Sequence, residues 1–318
     1  MAASTAALRG ITKQYKDFTL GPVDMTVPAG SIVGLIGENG AGKTTLLKIL
    51  CGVNRADDGT VDLLGGSPAD AATRAKIGVV FEDAFFYGSF TAAQVARSLA
   101  GMYGARWNAD SFSAYLRRFG LDAGKKLKEY SRGMRLKLSL AAALAHDPEL
   151  LVLDEATAGL DPVVRGELLD LFLEFIQDER HSIVMSSHIT ADLEQIADSI
   201  AYLHNGQLLF QENKDDLLQE YGVLHCGEDV LPSLPAGLVV FTRRGAYGCE
   251  SLVRERRTVQ ELLPEAVCDA ARLDDIMRFY SGRDCTMKGL LYKEWATLTS
   301  SYKQSVFFSR SSTAASAF

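Results

Sequence analysis

The sequence predicts an α/β fold with a parallel-sheet core, a helical insertion into that core, and a small C-terminal α+β accessory domain. Three short apolar segments, 31–36, 149–156 and 181–188, alternate with helical segments. Such strands are typical of a parallel sheet that is covered by helices on both faces. Between the first two, residues at about 91–146 have mostly helical character, and after Tyr221 the pattern changes to short alternating strands.

The individual elements follow from local patterns. SIVGLI (31–36) is an apolar strand that enters a glycine-rich turn, and KTTLLKIL (43–50) then has helical character. LHNGQLLF (203–210) is predicted to be a hairpin with Asn205-Gly206 as its turn. Two strands and a helix are predicted in the accessory domain, at GLVVFTRRG, YGCESLVRE and RLDDIMRFYSG.

Composition excludes several classes of protein. The 318 residues carry a net charge of −7, which argues against a general nucleic-acid binder. The five cysteines show no metal-ligand spacing, so we expect reduced thiols that pack as small apolar groups. We find neither a signal peptide nor an apolar run of the 18 or so residues that a bilayer span requires. We therefore expect a cytosolic chain that reaches a membrane only through a partner.

The strongest motif is GENGAGKT, in which Gly37, Gly42, Lys43 and Thr44 fit the phosphate-binding pattern G-x-x-x-x-G-K-[ST]. Glycines let successive backbone N–H groups converge on phosphate oxygens, and the N-terminus of the following helix adds a favourable dipole. Lys43 is expected to neutralise the β- and γ-phosphates, and Thr44 to bind Mg²⁺. The motif predicts a nucleotide site.

Two further strand ends carry candidate catalytic residues. Asp154 ends the strand in LLVLDEA, where it suits a water-mediated contact to Mg²⁺, and Glu155 beside it can polarise the attacking water. Alternatively, the two acids merely cap the next helix. His188 ends the strand in SIVMSSH and is placed to reach a γ-phosphate, although a purely structural histidine is the other interpretation.

These motifs, together with YSRGM at residues 130–134, occur in the order found in ATP-binding-cassette (ABC) ATPases, which the chain resembles over about residues 8–215. The resemblance implies a P-loop NTPase (RecA-like) core with an N-terminal antiparallel β portion. It also implies a nucleotide-binding domain at 1–221, with a helical subdomain at about 85–146. An accessory domain would then occupy 222–282 and a tail 283–318.

The resemblance also assigns roles. Tyr15 resembles the aromatic residue that stacks on adenine, with a buried core tyrosine as the alternative. Glu155 resembles the catalytic glutamate, His188 the switch histidine, and Asp161 the aspartate that communicates across a dimer. The residues expected to bind ATP are Tyr15, Gly37, Asn39, Gly40, Gly42, Lys43, Thr44, Thr45, Ser131, Gly133 and Asp161. The residues expected to bind Mg²⁺ are Thr44, Asp154 and Glu82.

Two motifs depart from the common pattern of the family, the second of them at Arg132 and Met134. Glu82 stands where most members have glutamine, so its role at Mg²⁺ or a water stays open. The signature reads Ser-Arg-Gly-Met, a form similar to that of ABC ATPases of bacterial exporters of antibiotics, drugs or lipids.

The signature helix also begins with unfavourable charges, because Arg132, Arg135 and Lys137 lie near the positive end of its dipole. A triphosphate of a second subunit, facing Ser131 and Gly133, would make cations there favourable. We expect Arg132 to benefit from it and the other two cations to be solvated.

The resemblance therefore implies an ATPase that pairs head to tail with a second ATPase subunit and drives export through a separate membrane permease. The chain would lie on the inner face of the cell membrane and would not bind nucleic acid. The aromatic cluster Phe85, Phe86, Tyr87 and Phe90 is either a permease-docking surface or part of a core. An alternative function is a soluble ABC ATPase that serves cluster assembly, nucleic acid or ribosomes. A non-hydrolysing binding module is disfavoured by Glu155 and His188.

The tail raises a separate question. From Met287 it reads MKGLLYKEWATLTSSYKQ, which resembles the first residues of exporter permease subunits. We hypothesise that residues from about 286 derive from read-through or fusion with a neighbouring permease gene and are poorly ordered. An ordinary amphipathic C-terminal helix is the alternative.

Overall fold

The computed structural model describes residues 4–81, 86–235, 237–245, 248–281 and 286–287. The chain divides into two compact units, Met1–Asp215 and Asp216–Phe318. Within the described residues, no helix is both long enough and apolar enough to cross a membrane. The predicted tail, 283–318, lies outside the described residues apart from Thr286 and Met287.

The first unit begins with an antiparallel sheet. Its strands are β1 (Ser4–Gln14), β2 (Thr19–Pro28) and β4 (Asp58–Leu63), in the order β2-β1-β4. The inward side chains of β1 and β2, such as Leu8 and Val23, are fully buried. This sheet confirms the N-terminal antiparallel β portion.

A second sheet forms the core of the first unit. Its strands are β3 (Ile32–Ile36), β5 (Ile77–Val80), β6 (Leu150–Asp154), β7 (Ser182–Ser186), β8 (Ser199–His204) and β9 (Gln207–Asn213). The order is β5-β6-β7-β3-β8-β9, and every described pair is parallel except β8 with β9. All residues of β3, β6 and β7 are buried, as expected for strands covered on both faces. The predicted hairpin is also confirmed, with Asn205 and Gly206 both at positive φ.

Helices surround the core sheet. They are α1 (Lys43–Leu50), α2 (Ala71–Arg74), α6 (Pro162–Phe175) and α7 (Thr190–Ile196). The helix α8 (Lys214–Glu220) follows β9 and contains the boundary between the two units. Because α1 follows β3 and α7 follows β7, their N-terminal ends lie at the carboxyl edge of the sheet, where open α/β folds bind ligands.

The predicted helical insertion consists of α3 (Ala92–Tyr103), α4 (Ala109–Arg118) and α5 (Arg132–Leu144), with short 3₁₀ turns at Gly104–Arg106 and Leu127–Glu129. The helices have side-chain N-caps at Thr91, Asn108 and Ser131. A core of its own, which includes Phe112, Leu116 and Leu138, holds the insertion together.

The insertion is joined to the core by specific contacts. The His146 ring stacks on Tyr103, with ring centroids 4.1 Å apart, and its Nε2 lies 3.0 Å from the Ile77 carbonyl oxygen. Two ion pairs connect the insertion to α6: Arg118 with Glu174 at 2.6 Å and Lys137 with Glu167 at 3.0 Å.

The second unit is a mixed α+β structure, as predicted. Its strands are β10 (Gly222–Cys226), β11 (Val239–Gly245), β12 (Gly248–Val253), β13 (Val267–Ala270) and β14 (Thr286–Met287), in the antiparallel order β13-β10-β12-β11-β14. A 3₁₀ turn (Leu231–Ser233) and the helices α9 (Arg256–Leu262) and α10 (Leu273–Ser281) complete the described part of the unit. The sequence pattern did not predict β10 or β13.

Candidate nucleotide-binding site

The loop between β3 and α1 has the backbone of a phosphate cradle. Gly37, Gly40 and Gly42 all have positive φ, which residues with a Cβ rarely adopt. An added Cβ would clash with the Leu203 carbonyl oxygen at Gly37, and at Gly42 it would lie 2.8 Å from Phe18 Cζ. At Gly40, no described atom lies within 4 Å of an added Cβ, so the loop is open on that side. Glycine is therefore required where the backbone packs closely, and space is left where a ligand can approach.

Lys43 places its charge over this loop. Its ammonium group donates hydrogen bonds to the carbonyl oxygens of Gly37 at 2.7 Å and Glu38 at 3.2 Å. The residue is 6% exposed, and Nζ lies 3.6 Å from Glu155 Oε1. A cation held in this way among backbone groups is suited to neutralise phosphate oxygens that enter the loop.

Thr44 and Asp154 form a set of oxygen atoms beside Lys43. Thr44 Oγ1 donates to Asp154 Oδ2 at 2.8 Å, which joins the start of α1 to the end of β6. On the other side, Ser186 Oγ donates to Asp154 Oδ1 at 2.6 Å. Hydroxyl and carboxylate oxygens are the ligands that Mg²⁺ prefers, so this pair fits the predicted metal.

Sequence reasoning missed Ser186. It is fully buried, and besides its bond to Asp154 its hydroxyl accepts a hydrogen bond from the Glu155 backbone N–H at 3.1 Å. It therefore fixes the two acids at once. The signal that could have identified it was its place at the end of the third apolar strand, two residues before His188.

Glu155 and His188 form a close pair. Glu155 Oε2 lies 2.6 Å from His188 Nδ1 and accepts a hydrogen bond from the His188 backbone N–H at 3.2 Å. The Glu155 side chain is 13% exposed, whereas that of His188 is 54% exposed. Glu155 also has a φ of 52°, a backbone conformation that is uncommon outside glycine. Its carboxylate is thus held between the Lys43 ammonium group and the His188 ring, with the ring open to solvent.

The structure places the other predicted ATP-binding residues around the same loop or at other helix starts. Asn39 and Gly40 are exposed at the top of the loop, and Thr45 follows Thr44 in α1. Tyr15 is 42% exposed; Asn54 Nδ2 donates to its hydroxyl at 3.4 Å, so a buried core tyrosine does not describe it.

Ser131, Gly133 and Asp161 lie at the starts of two other helices. Ser131 Oγ accepts a hydrogen bond from the Met134 N–H at 3.2 Å, and Asp161 Oδ1 accepts one from the Val164 N–H at 3.1 Å. Ser131 and Asp161 cap α5 and α6, and Gly133 lies in the first turn of α5. By contrast, one bonded cluster is formed by Lys43, Thr44, Asp154, Glu155 and His188. Glu82, the remaining predicted Mg²⁺ ligand, lies outside the described residues.

Two of the cations at the start of α5 are partly exposed and also have hydrogen-bond acceptors within the chain. Arg135 Nε donates to the Leu127 carbonyl oxygen at 3.3 Å, and Lys137 Nζ donates to Glu167 at 3.0 Å. These acceptors offset the unfavourable helix dipole inside the chain, so the charges do not by themselves require a second subunit.

Some side chains of the aromatic cluster before α3 belong to a core, and another is exposed as a docking surface requires. Phe86 and Phe90 pack against the core of the insertion, whereas Tyr87 is 78% exposed. Phe85 lies outside the described residues.

The chain is similar to known proteins over most of its first unit. Residues 20–158 match the family model described as ABC transporter. The bacitracin transport ATP-binding protein BcrA of Enterococcus faecalis is 36% identical over 212 residues, which cover 65% of this chain and 68% of that protein. An uncharacterised ABC transporter ATP-binding protein of Synechocystis is 38% identical over 206 residues, or 63% of this chain and 58% of that protein. The chain thus spans between a half and three quarters of the length of these relatives.

Solved structures show the same fold. A structure described as the ATP binding subunit of an ABC transporter is 28% identical, with a TM-score of 0.62, and covers 67% of this chain and 92% of that one. These similarities lead to one conclusion: the chain belongs to the ABC transporter family and is one of its ATP-binding proteins.

Proposed function

We propose that this chain binds and hydrolyses ATP at the Lys43 cluster and thereby drives export through a separate membrane permease. The observation that carries the proposal is the placement of Glu155, whose largely enclosed carboxylate lies between Lys43 and the exposed His188 ring. Such a carboxylate can accept a proton from a water that attacks a phosphate held over Lys43. Because His188 bonds the other oxygen of this carboxylate, Oε2, it would orient the base.

The residues present fit a nucleotide with Mg²⁺. The backbone N–H groups of the loop and the Lys43 ammonium group would hold the phosphates, and Thr44 and Asp154 would hold the metal. Mg²⁺ would neutralise charge on the β- and γ-phosphate oxygens. Ser186 holds Asp154 in place, and Glu38 and Gly37 orient Lys43 through their carbonyl oxygens.

Pairing with a second ATPase subunit is part of the proposal. Ser131 is exposed at the start of α5 and Asp161 is exposed at the start of α6, so both are accessible to another molecule. The N-terminus of α5 offers backbone N–H groups and a favourable dipole to a phosphate. Ser131 and Gly133 of one subunit would then complete the ATP site of the other.

Export through a permease is supported by the bacitracin transport relative and by the signature Ser-Arg-Gly-Met. The chain would be cytoplasmic and held at the inner face of the membrane by the permease. On the insertion, the exposed side chains of Tyr87 and Met102 would be candidates for contact with the permease. A cavity of about 270 Å³ lies nearby, lined by Val79 of β5 and by Phe86 and Leu99 of the insertion.

The experiment that tests the ATPase proposal replaces Glu155 by Gln in the full chain. The amide keeps the shape of the side chain but cannot accept the proton, so kcat should fall by about 10²–10⁴-fold. Nucleotide affinity should be nearly unchanged, because Lys43 and the loop are intact. Glu149→Gln is the matched control, since Glu149 precedes β6 as Glu155 follows it and pairs with Lys76 away from the site. Equal activity of the wild type and Glu155→Gln would refute the role of Glu155.

Co-purification tests the export proposal. The tagged chain, extracted with detergent from its own cells, should bring down a multi-helix membrane subunit. A soluble complex without any membrane protein would refute export and favour a soluble ABC ATPase.

A further inference from the structure

The start of the signature helix α5 contacts the turn that follows Glu155 in the same chain. The Arg132 guanidinium group lies against Gly159: a Cβ added to Gly159 would lie 3.1 Å from Arg132 Nη1 and 3.4 Å from Arg132 Cζ. A Cβ added to the next helix residue, Gly133, would lie 3.5 Å from Leu160 Cδ2. Two consecutive residues of α5 therefore meet two consecutive residues of the turn.

Gly159 is suited to this contact for two reasons. Its φ of +71° lies in the left-handed region, where a residue with a Cβ is strained. The missing side chain also lets the guanidinium group approach the backbone. A planar guanidinium group can pack flat in this way, whereas the compact ammonium group of lysine cannot.

Hydrogen bonds within the turn connect Gly159 to the catalytic residue Glu155. The Ala158 N–H donates to the Glu155 carbonyl oxygen at 3.1 Å, and the Leu160 N–H lies 3.4 Å from the Thr157 carbonyl oxygen. Thr157 is fully buried, and Asp161 then caps α6. A shift of Gly159 is therefore passed to Glu155, because the intervening residues are hydrogen-bonded to each other.

We infer that Arg132 is a positioning residue, which holds the turn 156–160 against α5 and so fixes the Glu155 carboxylate relative to bound ATP. The inference rests on the proposed ATPase function but goes beyond it, since it gives Arg132 a role that acts through Glu155 of the same chain. The sequence predicts a phosphate of a second subunit as the partner of Arg132; the structure gives it a partner within its own chain. Contact between α5 and the turn would let the position of the signature helix control the rate of hydrolysis.

The test is a double-mutant cycle on the full chain, with Arg132→Ala, Gly159→Ala and both together. We expect each single substitution to lower kcat about tenfold. A factor of about ten is what an interaction free energy in the middle of the range measured for contacting residues produces. Nucleotide affinity and KM should change less than twofold. The double variant should have the same kcat as the single variants. Once Arg132 is replaced, the methyl group added by Gly159→Ala has no guanidinium group to displace. Effects on kcat that simply multiply would overturn the inference.

Two controls separate positioning from strain and from charge. Gly120→Ala introduces a Cβ at a similar φ of +64° with no described atom within 4 Å of it, so it should lower the melting temperature about as much as Gly159→Ala while keeping kcat. Arg132→Lys keeps the charge without the planar group and should lose most of the activity that Arg132→Ala loses. Full activity of Arg132→Lys would overturn the inference in favour of a charge effect.

If the wild type hydrolyses no ATP, the proposed function itself fails, whereas multiplicative effects in an active enzyme refute only the role of Arg132.

Discussion

Replacing Ser186 by Ala removes a hydroxyl that holds both acids of the site. The Ser186 hydroxyl donates to Asp154 Oδ1 at 2.6 Å and is fully buried, so no water can take its place. A hydrogen bond to a charged group contributes about 1.5–3 kcal/mol. The second bond, from the Glu155 N–H, adds little on deletion because the same N–H also reaches the Ser186 carbonyl oxygen at 3.1 Å. We therefore expect a loss of about 2 kcal/mol in the free energy of unfolding, or roughly 4–8 °C in Tm for a unit of this size.

The effect on activity should be larger than the effect on stability suggests. Asp154 would lose the partner that orients it beside Thr44, and loss of such outer partners typically costs about 10–100-fold in metal affinity or activity. The assays are urea denaturation for stability and ATP hydrolysis as a function of Mg²⁺ concentration for the site. Half-maximal activity of Ser186→Ala should require a higher Mg²⁺ concentration.

Ser182→Ala is the matched control. Ser182 lies at the opposite end of the same strand and is equally buried, but its hydroxyl bonds to neutral groups, Thr5 Oγ1 at 2.7 Å and the Gly30 N–H at 3.2 Å. The Ser182→Ala variant should lose about as much free energy of unfolding as Ser186→Ala, but its ATP hydrolysis should depend on Mg²⁺ concentration as that of the wild type does. Identical Mg²⁺ titrations for the two variants would refute the assignment of Ser186 to the site.

Two further predictions follow from titratable groups, one of them buried (His146) and the other partly buried (Cys226). Burial lowers the pKa of His146 below its usual 6.5, so the stability that the neutral ring contributes is present above that pH and is lost as pH falls through the lower pKa of the folded state. The variant His146→Gln keeps a donor for the Ile77 carbonyl oxygen but does not titrate, so between about pH 7 and about pH 5 its free energy of unfolding in urea titrations should fall less than that of the wild type. An unchanged pH profile would contradict this. Burial and a contact with Cys249 raise the pKa of Cys226 to about 12, so Cys226 should resist iodoacetamide in the native chain and react once unfolded, as followed by peptide mass spectrometry. Rapid native alkylation near neutral pH would show that the thiol is not held protonated.

Much of the site could be predicted because its requirements are local in sequence. Positive φ at Gly37 and Gly42 demands glycine, and a cation at the first position of α1 must follow directly. Ser131 likewise caps the helix that begins one residue later. Asp154 and Glu155 were identified because an apolar strand that ends in acids places them at the ligand-binding edge of the sheet.

Contacts between distant segments could not be predicted in this way. Asp154 and Ser186 are directly paired in the register of β6 and β7, and a shift of one residue would turn the hydroxyl to the opposite face of the sheet. The partners of Arg132, Arg135 and Lys137 depend on how α5 packs against the turn before α6, the 3₁₀ turn and α6 itself.

The sequence by itself determined the three buried strands of the core sheet, the helical insertion, the phosphate-binding loop and the identity of the acids, because each depends on backbone conformation or periodicity over a few residues. Only the tertiary structure decided what holds those acids in place. Strand register and helix packing are set by contacts between residues far apart in the chain, such as Thr44 with Asp154 and Glu155 with His188. Those contacts bring together side chains that no local pattern relates to each other.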